Sequence, residues 1–267
     1  MDDSRKEGDL GPKMEERKKA ELKNEGAGGR LPAKSAFQQS TPSNHIPFPE
    51  PLNSILSRLE PKSVTNFYGG PGTGKTNLCL LAALECIKNG GSVTYIDTEG
   101  GFSSERLKQL TKTPEHALER IALLEPKTFE EQGKIIRNLE KHKTDLIILD
   151  SAVALYRLEY ADPKAETLEA HRELSKQISI LSTLSREKNI PVIITAHTFQ
   201  NWDTGANEIV GGDMIKYWSK AIVYLERTSK TSERKATIVK HRWVPEGGTV
   251  KFVIVEEGIK PSGFRIF

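Results

Sequence analysis

Gly69-Gly70-Pro71-Gly72-Thr73-Gly74-Lys75-Thr76 is the stretch on which the reading of this chain turns. It is spaced G-x-x-x-x-G-K-T, the pattern of a phosphate-binding loop. Val64-Thr65-Asn66-Phe67-Tyr68 before it reads as a strand, and Asn77 to Ile87 after it reads as an apolar helix. In that order the glycines let backbone N–H groups curl around phosphate oxygens, and the helix N-terminus adds the positive end of its dipole. Lys75 would reach the β- and γ-phosphates, and the Thr76 hydroxyl would ligate Mg2+. A glycine-rich turn with a chance lysine does not account for the full motif between a strand and a helix. The stretch implies a site for a nucleoside triphosphate, ATP being the expected one.

Working outward, the 267 residues allow one sizeable domain with an extension, or two small domains. Hydrophobic residues make up 36% and charged residues 28%, and the net charge is only +3. Any contact with nucleic acid must therefore come from a local basic patch, not from bulk charge. Cys79 and Cys86 fall two turns apart on the helix after the loop, too far to bridge. They read as small apolar residues in a reducing compartment. There is no apolar run of about twenty residues and no signal peptide, so the expectation is a cytoplasmic protein with no membrane partner.

Residues 1–46 are rich in Lys, Glu, Asp and Gly and poor in aliphatics, the composition of a disordered extension. It reads either as a tail touching DNA or a partner, or as a solvated extension. The ATP-binding core is expected over 47–267. Leu52, Ile55, Leu56 and Leu59 mark a helical face. Asn89-Gly90-Gly91 ends the helix after the phosphate loop. Ser92 to Asp97 is a second strand, running into Thr98-Glu99-Gly100-Gly101. Helices follow at 103–110, 114–120 and 128–142, with a short strand at 121–124. Leu146-Ile147-Ile148-Leu149-Asp150 is an apolar strand ending in a carboxylate, the form of a central parallel strand that helps hold a metal downstream of a phosphate loop. Ser151 to about Thr167 reads as an exposed loop, Glu166 to Lys188 as a long helix, and Pro191 to Ala196 as another central strand. His197 to Gly212 is a long irregular loop of the kind that carries function, and 214–220 reads as a short helix. The pattern then changes to period two over 221–225, 235–242 and 250–255. Their short turns imply antiparallel strands added at one edge. The fold class is α/β: a mostly parallel sheet flanked by helices, with an antiparallel edge.

Phosphoryl transfer needs a cradle, a metal and an oriented water. The loop Gly69–Thr76 is the cradle, and Thr76 with Asp150 would hold Mg2+. Glu99, just past a strand end, is the candidate for orienting or deprotonating the water; its alternative is a solvent-facing loop acid. Asp97 reads as a supporting group. His197 sits at the next strand end, where an imidazole senses the γ-phosphate or serves structure. Lys240-His241-Arg242 reads as part of a strand, with Lys240 and Arg242 on one side. They are either positive fingers reaching a neighbour's nucleotide, DNA-phosphate contacts, or charges that blunt an edge strand.

These stretches together resemble the RecA-type recombinases. The order is the phosphate loop, then Tyr95-Ile96-Asp97-Thr98-Glu99-Gly100, then Asp150 with Ser151-Ala152-Val153-Ala154-Leu155-Tyr156-Arg157. Tyr95 to Leu107, Lys240-His241-Arg242 ahead of Pro245-Glu246-Gly247, and the run Phe252 to Ile259 are most similar to the archaeal RadB paralogues. The resemblance spans about residues 48–261. It implies a RecA-type core that binds ATP and DNA and acts in recombinational repair, with very weak ATP turnover and no strand exchange. It also implies a mediator or regulator of the main RadA-type recombinase and of junction-cleaving enzymes such as a Holliday-junction resolvase. Glu99 matches the family's catalytic glutamate, the loop after Ser151 its first DNA loop, and Thr198 to Gly212 its second. Three features depart from a full recombinase. No helix-hairpin-helix domain is recognisable in the charged N-terminal segment. Phe37 is followed by Gln38, Gln39 and Ser40, so the Phe-x-x-Ala hook is missing. Ala196-His197 replaces an Asn-Gln pair. Phosphate-backbone contacts with single-stranded or branched DNA are expected from Arg157, Lys164, Arg234, Lys235, Lys240 and Arg242. The rival readings are an active DNA-dependent ATPase or strand-exchange recombinase, and a RecA-like regulatory ATPase with no DNA role.

Overall fold

A computed structural model describes residues 45–159, 168–200, 205 and 207–263. Residues 1–44 of the expected extension lie outside them. So does Lys164, one of the expected DNA contacts.

The strands are β1 (Ile46–Pro47), β2 (Arg58–Leu59), β3 (Val64–Gly69), β4 (Val93–Asp97), β5 (Ile121–Leu124), β6 (Leu146–Asp150), β7 (Val192–Ala196), β8 (Thr198–Gln200), β9 (Asn207–Ile209), β10 (Ala221–Arg227), β11 (Glu233–Lys240), β12 (Thr249–Val255) and β13 (Gly258–Pro261). Helices α1 to α7 span Lys75–Lys88, Ser104–Leu110, Pro114–Glu119, Phe129–Asn138, Ala154–Glu159, Leu168–Lys188 and Gly212–Trp218. Nine strands form the main sheet in the order β13-β12-β11-β10-β3-β7-β6-β4-β5. From β10 to β5 every neighbour is parallel. From β10 to β13 every neighbour is antiparallel. The period-two pattern after residue 220 is this antiparallel edge.

The central strands are apolar on both faces because helices cover both. On one face α1 packs Leu78, Leu81 and Ala82 into a core with Phe67, Tyr95, Ile148 and Val223. On the other, α4, α6 and α7 place Ile136, Leu174, Ile178 and Ile215 against Ile96, Leu149 and Ile194. Cys79 and Cys86 are buried and free in the first core. Burial, with Asp145 adding, pushes the Cys86 thiol up to about 12, so it is chemically quiet.

Three local expectations change. The apolar face at 52–59 is only a short 3-10 turn at Leu52–Ser54 followed by β2, because Leu59 is taken into strand pairing with Ile46. The stretch after Ser151 is not all loop: Ala154–Glu159 is helical and buries Leu155 and Tyr156. Strand β11 stops at Lys240, so His241 and Arg242 do not continue it.

Candidate functional site

Gly69 closes β3 so tightly against β10 that a Cβ there would sit 2.1 Å from the Leu225 carbonyl oxygen. Gly74, at φ +100°, makes the turn into α1. The first turn of α1 has no side-chain cap and no acidic residue. Its N–H groups and dipole are left facing the loop, as an anion requires. Lys75 is buried, only 7% exposed. Its ammonium donates to the carbonyls of Gly69 and Gly70 at 2.9 and 3.0 Å. Burial lowers its proton affinity below the usual lysine value, against the pull of Glu99 and Asp150. Thr73 ties the loop to itself by donating to the Gly70 carbonyl.

Asp150 ends β6 level with Asp97 of β4. One carboxylate oxygen accepts from Thr76 Oγ1 at 2.7 Å and from the Tyr95 hydroxyl at 2.9 Å; the other accepts from Thr195. Burial raises this carboxyl above the usual range, and the three hydroxyl donors hold it back. A hydroxyl and a carboxylate oxygen side by side form a hard donor set suited to Mg2+ with phosphate oxygens. Among the described residues no cluster of three His, Cys, Asp or Glu side chains competes with it.

Asp97 holds the turn that follows β4. Its carboxylate accepts from the backbone N–H groups of Glu99, Gly101 and Phe102 at 3.1, 3.1 and 2.8 Å. That turn presents Glu99 at the rim, where its Oε1 lies 2.7 Å from His197 Nε2. The two side chains are 36% and 19% exposed, so the pair is neither a surface contact nor a sealed one. Burial draws the Glu99 carboxyl up, but the hydrogen bond and charge of His197, with Lys75, outweigh it and keep it below the usual range. The direct Glu99–His197 bond was not legible in the sequence, since 98 positions separate them. Each follows the end of a parallel strand, β4 and β7, and these strands flank β6.

The described parts of the stretch expected to be irregular are strands: Thr198–Gln200 (β8) and Asn207–Ile209 (β9) pair antiparallel, as the two arms of a hairpin beyond β7. The Val210 N–H donates to the His197 carbonyl at 2.9 Å and closes its neck.

The basic residues separate into two groups. Arg234, at the start of β11, donates from Nε to the Gly72 carbonyl at 2.8 Å and so braces the phosphate loop. Lys235 is 3.0 Å from Glu226, an ion pair. Lys240 pairs in register with Ile222, at the far end of β10, so it lies at the end of the sheet opposite the loop. It donates to the Lys216 carbonyl, and Arg242 stands 5.9 Å from the Trp243 ring centroid. The five described cations of the expected six are therefore not one patch, and Arg234 and Lys235 are engaged within the fold. Arg157 lies exposed on α5.

A glycine loop between β3 and α1, a carboxylate closing β6 beside the Thr76 hydroxyl, and a sheet of this order define a RecA-type P-loop protein. The Rad51 family model matches residues 50–262. "DNA repair and recombination protein RadB" of Methanococcus maripaludis strain C7 is 43% identical over 212 residues, covering 78% of this chain and 97% of the relative. The RadB protein of Methanosphaera stadtmanae is 40% identical over 222 residues, with 78% and 94% covered. A solved structure described as "Crystal structure of the RadB recombinase" superposes with a TM-score of 0.69 at 37% identity, over 79% of this chain and 96% of that one. The chain belongs to the Rad51 family, in its RadB branch.

Proposed function

We propose that this chain is an ATP- and Mg2+-dependent, DNA-binding protein of DNA repair and homologous recombination whose nucleotide site sets a binding state instead of driving strand exchange. The observation that carries it is the Thr76–Asp150 pair beneath the uncapped N-terminus of α1. The backbone of Gly69, Gly70, Pro71, Gly72, Thr73 and Gly74 would cradle the phosphates. Lys75 would exchange its loop carbonyls for phosphate oxygens, and Thr76 with Asp150 would hold the metal, which supplies charge neutralisation at the phosphates. Glu99 would take a proton from water.

DNA contact is assigned to Arg157 at the loop end of the sheet and to Lys240 and Arg242 at the other end. Beside the latter, Tyr217 and Trp243 are each 69% exposed, and Lys220 stands over the Tyr217 ring. Cations interleaved with exposed aromatic rings suit single-stranded or branched DNA, whose unpaired bases stack. The missing Phe-x-x-Ala hook favours a mediator acting on the main RadA-type recombinase, or on a Holliday-junction resolvase, over an autonomous filament. Hydrolysis is then slow and strand exchange absent.

One experiment tests this reading: fluorescence anisotropy of labelled single-stranded DNA, with and without Mg-ATP, across a salt series. Affinity is expected to fall steeply with salt and to respond to ATP. Salt-independent affinity, or no binding at low salt, overturns the DNA role. A second reading, a DNA-stimulated ATPase, draws on Glu99 itself. Strong stimulation of phosphate release by DNA, lost in Glu99→Gln, would establish it instead.

A further inference from the structure

Glu99 and His197 reach the rim from β4 and β7, the two neighbours of β6. The Oε1–Nε2 contact of 2.7 Å therefore passes over the end of β6, above Asp150. Both ends are anchored. The Asp97 carboxylate fixes the turn that carries Glu99, and the His197 carbonyl receives the Val210 N–H at the hairpin neck. The hydrogen bond joins two elements that the sheet leaves separate: the turn at 98–102 and the β8–β9 hairpin. Lys75 faces the same carboxylate from α1, and the Ser151 hydroxyl faces it from the end of β6.

We propose that His197 is a positioning residue that holds Glu99 out of service, its imidazole N–H occupying the carboxylate oxygen that a water proton would need. A general base acts only when its acceptor oxygen meets the proton it removes. With Oε1 accepting from His197 at 2.7 Å and the Ser151 hydroxyl also bonded to the carboxylate, the group is charged but engaged. Turnover at this site is slow because a competent residue is held, not because one is missing. The same bond ties the hairpin to the rim, so release of Glu99 and loosening of the hairpin neck are one event. This inference rests on the reading of the rim as an ATP site.

The test uses the full chain as wild type, His197→Ala, His197→Phe and Glu99→Gln. Phe keeps the ring volume and removes the donor, which covers the case in which Ala perturbs folding. Three quantities are read: equilibrium binding of a fluorescent non-hydrolysable ATP analogue, single-turnover hydrolysis of ATP, and backbone hydrogen exchange in the nucleotide-free protein. The expected result is analogue affinity within about threefold of wild type and hydrolysis faster by roughly tenfold in both His197 variants, a small part of the range of general-base effects. Exchange should quicken at 98–102 in the His197 variants and at the hairpin neck in Glu99→Gln. Retained analogue binding with unchanged or slower hydrolysis in both His197 variants overturns the inference. Failure of the wild type to bind the analogue overturns the ATP reading beneath it, a separate and recognisable result.

Discussion

The Thr76 hydroxyl donates to Asp150 Oδ2 at 2.7 Å, joining the first turn of α1 to the end of β6. Neither residue leaves the other free to turn away, since Asp150 is also held by Tyr95 and Thr195. The proposed metal position would therefore need little rearrangement when a nucleotide arrives. Thr76→Val keeps the shape and removes the hydroxyl. It should weaken Mg-ATP binding by about tenfold or more, the scale of one lost hydrogen bond to a charged group. Titration of a fluorescent ATP analogue with and without Mg2+ measures it, and unchanged Mg2+ dependence would remove Thr76 from the metal site.

Gly69→Ala should damage the fold as well as the site. The added methyl meets the Leu225 carbonyl oxygen at 2.1 Å, where β3 and β10 are already paired in register. Overpacking of this kind costs about 1–3 kcal/mol. Urea unfolding should show that loss together with weaker nucleotide binding.

Glu173 offers a pH-dependent test away from the rim. Burial raises its carboxyl, but hydrogen bonds from Arg137 and Gln177 outweigh this and leave it below the usual range. A depressed acid stabilises the fold fully above its unfolded value, near 4.5, and loses that contribution as pH falls through the lower folded value. Glu173→Gln should cost about 0.5–1 kcal/mol at neutral pH, the scale of a partly exposed ion pair. The gap to wild type should close in acid, as read from denaturation midpoints at several pH values.

Lys240→Ala and Arg242→Ala should each weaken DNA binding and reduce the salt slope by about one. Lys235→Ala should leave the slope unchanged, because that ammonium is spent on Glu226. Anisotropy titrations at four salt concentrations distinguish them, and equal effects of all three would return Lys235 to the DNA surface.

Much of the fold is legible from residues whose neighbours in sequence are their neighbours in function. The glycine loop, Lys75 and Thr76 announce the phosphate cradle because the chemistry lies within eight positions. Asp150 and Glu99 stand out because parallel strands deliver their last residues to one rim. The pairing of Glu99 with His197 is different. It depends on sheet order, with β4 and β7 flanking β6, and no local pattern encodes that order. The splitting of the basic residues has a simpler cause. Arg234 and Lys240 are six positions apart on one strand, so the strand itself carries them to opposite ends of the sheet. Ser151 to Glu159 reads as loop because its apolar run is too short to show a helical period before the charged residues that begin at Arg157, and Leu155 and Tyr156 are buried through the packing of α5 against α4.

Under the proposed function, the loop Gly69–Thr76 sets a binding state. Lys75→Ala tests it most directly. Retention of the cell's main recombinase on immobilised protein should be measured with and without Mg-ATP, beside DNA affinity in the same buffer. ATP is expected to strengthen recombinase binding to wild type, and Lys75→Ala to lose ATP binding and this enhancement while keeping most basal DNA affinity. Equal loss of recombinase and DNA binding in Lys75→Ala would contradict it.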